Sequence, residues 1–104
     1  MHSFKVDFES LDWQSPLPGL RFKLYRNGAQ QLRLVEFAAE FVEPDWCTKG
    51  HIGFVVAGVL EVDFRGNVVS YPEGSGIFIP PGTSSAHKAR SLAPVTRLVL
   101  VEDA

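Results

Sequence analysis

Apolar and polar residues alternate along most of this chain, and glycine, proline and asparagine break the alternation at short intervals. A period of two marks an extended strand with one buried face, because successive side chains point to opposite sides. Phe4, Val6 and Phe8 alternate with Lys5, Asp7 and Glu9, which predicts a short first strand. Pro16, Pro18 and Gly19 interrupt any regular element after it. In LRFKLYR, Leu20, Phe22 and Leu24 share one side, and Arg21, Lys23 and Tyr25 the other. Asn27-Gly28 then predicts a hairpin turn, because tight hairpins need positive φ at their central positions. The returning QQLRLVEF sets Leu32 and Leu34 on one face and Gln31 and Arg33 on the opposite one. Glu36 has the parity of Leu32 and Leu34, so strict alternation turns it inward, where a carboxylate needs a partner. If the strand ends or bulges first, Glu36 is solvated.

Residues 38 to 44 form one helical turn or a loop, and Pro44 holds the residue before it extended. HIGFVVAG is rich in β-branched and aromatic residues and reads as a mostly buried strand ended by Gly58. Leu60, Val62 and Phe64 alternate with Glu61, Asp63 and Arg65, Gly66-Asn67 turns the chain, and VVSY returns. Ile77 to Ile79 is a short strand stopped by Pro80-Pro81-Gly82; His87 opens or precedes another, and VTRLVLVE closes the chain. No apolar period of 3.6 persists, as a long helix would need. Many short strands between turn signals predict an all-β sandwich or barrel.

At 104 residues, one domain over 1–104 is expected, with one modest core. A hydrophobic fraction of 45% argues against disorder, and a net charge of -2 leaves no basic footprint for nucleic acid. The longest apolar run, Ile52 to Leu60, is too short to cross a bilayer, and MHSFKVDFES lacks the apolar core of a signal peptide. Cys47 is the single cysteine, so no internal disulfide forms. Cytoplasmic residence is the expectation. Sheet edges at the N-terminal strand and at the strand near Leu98, together with Phe8 and Trp13, predict a homodimer.

The candidate chemistry lies between residues 45 and 87. Asp45, Cys47 and His51 stand in the first half of that stretch, Ser85 and His87 in the second. Should the halves face each other, thiolate, imidazole and carboxylate converge, a donor set suited to zinc or iron. Each residue also has an ordinary structural role. A cysteine is often a small buried hydrophobe, Asp45 after Pro44 can bond the turn backbone, and a histidine can be satisfied by a carbonyl. Trp46 either covers the site, stacking on a ligand, or packs at the barrel mouth. Arg33 and Tyr25 suit an anionic ligand if they meet across the hairpin on a face lining the cavity; otherwise they are solvated.

Residues 45 to 89 resemble a small single-domain cupin. Gly74, Pro80 and Gly82 stand at the spacings of that family's second motif, about 74–89, and Gly58 closes its first, about 45–58. The resemblance implies a jelly-roll β-barrel with a divalent metal and a small-molecule ligand inside. The family's ligand positions are occupied here by Asp45, Cys47, His51 and Ser85, with His87 two residues further on. The metal set is therefore expected to be Cys47, His51 and His87 with Asp45, and the ligand-binding set Glu36, Trp46, Ser85, Arg33 and Tyr25. Two classes of function stay open. One is a small-molecule binder, with or without a metal. The other is a metal-dependent enzyme of oxygenase, isomerase or lyase type, acting on a small polar or anionic substrate.

Overall fold

The computed structural model describes residues 4–104. Among the described residues nine strands follow one another: β1 (Gln14–Leu17), β2 (Leu20–Asn27), β3 (Gln30–Ala38), β4 (His51–Ala57), β5 (Val59–Phe64), β6 (Asn67–Pro72), β7 (Gly76–Ile79), β8 (Lys88–Ser91) and β9 (Val95–Asp103). Two single 3-10 turns, Phe8–Ser10 and Thr83–Ser85, are the helical elements among the described residues. The strands form a six-stranded sheet, in the order β1-β2-β3-β9-β4-β7, and a three-stranded one, β6-β5-β8. Both are antiparallel, and together they make a jelly-roll β-barrel. Val35, Phe37, Val55, Leu98 and Leu100 of the larger sheet pack against Leu60 and Val62 of the smaller.

The hairpins form where turn chemistry places them. Gly28 (φ 62°) closes β2–β3, and Arg65 and Gly66, both at positive φ, close β5–β6 one residue earlier than the Gly66-Asn67 pair suggests. Gly58 makes the corner where the chain leaves one sheet for the other. Its φ of +85° and the Val95 carbonyl oxygen, 2.5 Å from where a Cβ would lie, both require glycine. Thr96, fully buried, stitches that corner: its hydroxyl accepts from the Val59 N–H at 3.1 Å and donates to the Val59 carbonyl at 2.9 Å.

Several expectations need correction. Residues 4–7 carry no strand and lead into the first 3-10 turn; residues 1–3 lie outside the described residues. Pro16 sits within β1, which is possible because β1 is an edge strand and its missing N–H breaks no ladder. β9, with Leu98, is not an edge: it lies between β3 and β4. Trp13 is half-buried within its own chain, with the Arg21 guanidinium 3.9 Å and the Lys23 ammonium 4.9 Å from its ring centre. β4 is buried on one face only; Ile52, Phe54 and Val56 are exposed on the other.

Along β3 the predicted alternation holds but its faces are exchanged. Val35 and Phe37, on the parity of Arg33, enter the core, and Leu32, Leu34 and Glu36 face outward. The packed partners decide this: Leu20 and Phe22 of β2 and Leu98 and Leu100 of β9 all lie on the Arg33–Val35–Phe37 side. Glu36 is nonetheless buried, because Arg21 and Arg97 from the two neighbouring strands close over it. Arg21 Nε donates to one carboxylate oxygen at 2.7 Å, and Arg97 Nε to the other at 2.8 Å. Burial alone would raise the Glu36 pKa; the two guanidinium groups outweigh it and lower it.

Candidate metal centre

An isolated antiparallel bridge joins the two halves of the 45–87 stretch. The Cys47 N–H donates to the His87 carbonyl at 2.8 Å, and the His87 N–H donates to the Cys47 carbonyl at 3.0 Å. His51 opens β4 on its inward parity, two residues from Gly53 and four from the buried Val55. These placements bring one donor atom each from Cys47, His51 and His87 within 4.8 Å of one another. The two imidazole rings meet edge to face, with centres 5.1 Å apart, and Phe64 packs on His87 at 5.8 Å. His87 is 2% exposed, so its ring is held on every side.

The nitrogens of both rings are sorted by their partners. His51 Nδ1 lies 2.6 Å from Glu102 Oε2, which leaves Nε2 facing Cys47 Sγ at 3.6 Å. His87 Nδ1 lies 3.0 Å from the Ser85 carbonyl, which leaves its Nε2 to face the Cys47 thiol as well. Glu102 is itself anchored by Arg33, whose Nε and Nη2 donate to the two carboxylate oxygens at 2.5 and 2.7 Å, and by Gln31 Nε2 at 3.0 Å.

Charge follows from this geometry. The hydrogen bond from His51, then that from His87, lowers the Cys47 thiol to about 5. Burial would depress His51, but the Cys47 thiolate and Glu102 outweigh it and raise the imidazole to about 9. His87 is raised in the same way, burial being outweighed by Cys47 and the Ser85 carbonyl. Burial would raise Glu102; His51 and Arg33 instead hold it well below the usual carboxylate range. The cluster thus sets a thiol of lowered pKa against imidazoles of raised pKa, backed by the Glu102–Arg33 ion pair.

The donor set fits a divalent metal such as zinc. Zinc bonds of about 2.3 Å to sulfur and about 2.1 Å to nitrogen, at a tetrahedral angle, subtend an edge of about 3.6 Å, the separation found between Cys47 Sγ and His51 Nε2. Metal-bound histidines usually donate their second N–H to a carboxylate or carbonyl, which fixes ring and tautomer. Both histidines here are oriented that way before any metal arrives. Three protein donors leave a tetrahedral position for a ligand.

The other sequence candidates lie elsewhere or act differently. Asp45 has the parity of Cys47 but is exposed, because residues 44 and 45 bend away before the bridge; it is outside the cluster. Ser85 contributes its carbonyl, while its hydroxyl closes the loop by donating to the Pro80 carbonyl at 2.5 Å. Trp46 points out of the barrel, its ring flanked by Lys88 at 4.6 Å and Arg65 at 5.1 Å. Tyr25 pairs with Leu32 on the outer face, and Arg33 pairs with Leu24 on the inner one, so the two do not meet. Glu36, on the outer face, is likewise away from the cluster.

Two ionisable groups beside the cluster escaped the sequence reading. Glu102 continues the inward parity of Thr96, Leu98 and Leu100, a signal that was there to be read. Glu43 precedes Pro44 in a loop with no periodicity. Its Oε1 accepts from the Ala89 N–H at 2.9 Å, and burial raises its pKa. Arg33, Glu43, Cys47, Lys49, His51 and His87 are the polar lining of a partly open cavity of about 240 Å³.

No known protein-family profile matches the chain. No curated protein matches its sequence either. Solved structures do. KdgF from Halomonas sp. is 25% identical with a TM-score of 0.79, over 99% of this chain and 94% of that one. The polyketide cyclase RemF from Streptomyces resistomycificus is 17% identical with a TM-score of 0.78, over 98% and 80%. An RmlC-like cupin from Shewanella frigidimarina is 17% identical with a TM-score of 0.76, over 98% and 91%. The chain is a small cupin-fold domain. Among the described residues, no helix is long and apolar enough to cross a membrane.

Proposed function

We propose that residues 1–104 form one domain that binds a small molecule inside its barrel, at a divalent metal held by Cys47, His51 and His87, with zinc favoured. The supporting observation is the pair of imidazoles, each with Nδ1 engaged elsewhere and Nε2 turned to the Cys47 sulfur, His51 Nε2 at the edge length of a zinc tetrahedron. When bound, such a metal supplies Lewis-acid polarisation of a ligand oxygen. Glu102 and the Ser85 carbonyl orient the rings. The free thiol suits the reducing cytoplasm.

The catalytic alternative, a metal-dependent isomerase or lyase, gains support from Glu43. Its carboxyl lines the same cavity, is tied through one oxygen only, and has a raised pKa, so it can hold or release a proton beside a bound ligand. RemF, of like fold, is a polyketide cyclase. Fold alone does not carry that activity over.

The test is metal content. Purified protein exposed to zinc and dialysed against weak chelator should retain one equivalent. Cys47→Ala and His51→Ala should each lower zinc affinity at least about hundredfold, given that even outer partners are worth tenfold to hundredfold. Trp46→Ala and Asp45→Ala should leave it unchanged. A protein that takes up no zinc, or equal losses in all four variants, would overturn the metal reading.

We further propose a homodimer, on a surface different from the edges considered above. On the outer face, Tyr25, Leu32, Val101, Ile52 and Phe78 stand in register across five strands, with Leu34, Val99 and Phe54 in the row beside them. Phe78 is 77% and Ile52 49% exposed. An exposed apolar sheet face of this kind is buried when two copies pair it about a two-fold axis. Light scattering should give twice the chain mass, and Ile52→Lys with Phe78→Lys should halve it. A wild-type mass equal to one chain at all concentrations would remove the proposal.

A further inference from the structure

Strand register sorts the inward side chains into layers along the barrel. Glu102 lies opposite Gln31, and His51 opposite Ile79. The next layer places Leu100 opposite both Arg33 and Gly53; the one after it places Leu98 opposite Val35 and Val55. Ionisable groups therefore gather at one end, and the wall beyond them is hydrocarbon. Ten of the sixteen residues lining the cavity are apolar, and the other six are the polar group around the Cys47–His51–His87 cluster.

Part of the hydrogen-bonding capacity in that polar group is already committed. Arg33 spends Nε and Nη2 on Glu102, His87 Nδ1 is engaged by the Ser85 carbonyl, and one Glu43 oxygen is held by Ala89. Lys49, exposed at this end, is the one lysine among the lining residues. Val35, Phe37, Leu60, Val62, Ile77 and Leu98, which belong to the apolar part of the lining, offer no side-chain donor or acceptor. A ligand hydroxyl placed there gives up water and gains no partner, a loss of at least about tenfold in affinity for each. The volume, about 240 Å³, falls below the roughly 300–1,000 Å³ of sites for drug-sized ligands.

We infer that the ligand is a small amphipathic monocarboxylic acid, its carboxylate at the Cys47–His51–His87 cluster beside Lys49 and its unsubstituted hydrocarbon body against Val35 and Leu98. Polyhydroxylated acids are excluded by the same wall. The inference rests on the metal reading for the head position, and on the cavity wall alone for the tail.

Calorimetric titration of the zinc-treated full chain with acetate, butyrate, hexanoate and threonate separates the two. Affinity should rise about fourfold per methylene until the cavity is full. Butyrate should bind at least tenfold tighter than threonate, which has the same four-carbon skeleton with three hydroxyls. Val35→Phe, which fills the hydrocarbon end, should abolish the gain from acetate to butyrate while leaving zinc stoichiometry intact. A flat series, no binding of any acid, or threonate equal to butyrate overturns the inference, whether or not Val35→Phe folds. Zinc stoichiometry is read on the same samples. If no zinc binds, the metal reading fails, and the acid series on the zinc-free protein, where Lys49 lines the same end of the cavity, still decides the ligand class.

Discussion

Replacing Glu102 with glutamine is expected to lower stability by about 3 kcal/mol at neutral pH, at the low end of what breaking a buried ion pair costs. The carboxylate is 5% exposed and serves three partners at once: Arg33, Gln31 and His51. An amide oxygen still accepts one bond, but the Arg33 guanidinium, its side chain 20% exposed, loses its counter-charge. Zinc affinity should fall too, by about tenfold to hundredfold, because His51 loses the acceptor that fixes its tautomer. The pH dependence provides a second readout. The Glu102 pKa is depressed in the folded chain, so its contribution is complete above the unfolded value of 4.5 and is lost as pH falls below it. Urea unfolding of both proteins at pH 7, 5.5 and 3.5 should therefore show a wild-type advantage that shrinks at the lowest pH. An advantage under about 1 kcal/mol at pH 7, or one that acid leaves unchanged, contradicts the assignment of Glu102 as the anchor of the site.

The sequence made the strands legible because burial on one face imposes a period of two, and turns demand particular residues. β2, β3, β5, β6 and β9 follow directly from alternation and from Asn27-Gly28 and Gly66. Alternation does not say which of two faces is the core when both hold apolar residues. On β3, Leu32 and Leu34 outside match Val35 and Phe37 inside, and only the neighbours β2 and β9 decide between them. That is why strict alternation pointed Glu36 inward, with solvation the alternative, an argument that fits Glu102, on a strand with a better-marked inner face. Convergence of Cys47, His51 and His87 could be framed from spacing, but Asp45 was included because parity was carried through a bend where it does not apply. Glu43 lies in a loop, where no period exists and position is set by a long-range bond to Ala89. Ligand geometry at the site depends on such contacts between residues distant in sequence, and periodicity is blind to them.

Gly53→Ala should be the most damaging small substitution in the barrel. Gly53 lies in β4, hydrogen-bonded on one side to β9 and on the other to β7, opposite Leu100 and Ile77. A Cβ there would overlap the Val99 carbonyl oxygen and come within 2.8 Å of Leu100 Cδ2. The first obstacle is backbone and cannot rotate away, so β4 and β9 must separate or twist. Overpacking typically costs about 1–3 kcal/mol, and a clash with a central ladder belongs at or above the top of that range. Since about 1 kcal/mol moves the midpoint of a domain near this size by about 4–8 °C, the variant should melt at least 12 °C lower, counting about 3 kcal/mol. Gly76→Ala is the control: it lies on edge strand β7, and a Cβ there meets nothing within 4 Å. It should change stability by less than about 0.5 kcal/mol. Because His51 stands two residues before Gly53 on the same strand, movement of β4 also shifts Nε2 away from Cys47, and zinc affinity should drop with the melting temperature in Gly53→Ala alone. Equal melting temperatures for the two alanine variants would show that β4 and β9 do not approach as closely as this structure has them, and the site built on that approach would have to be redrawn.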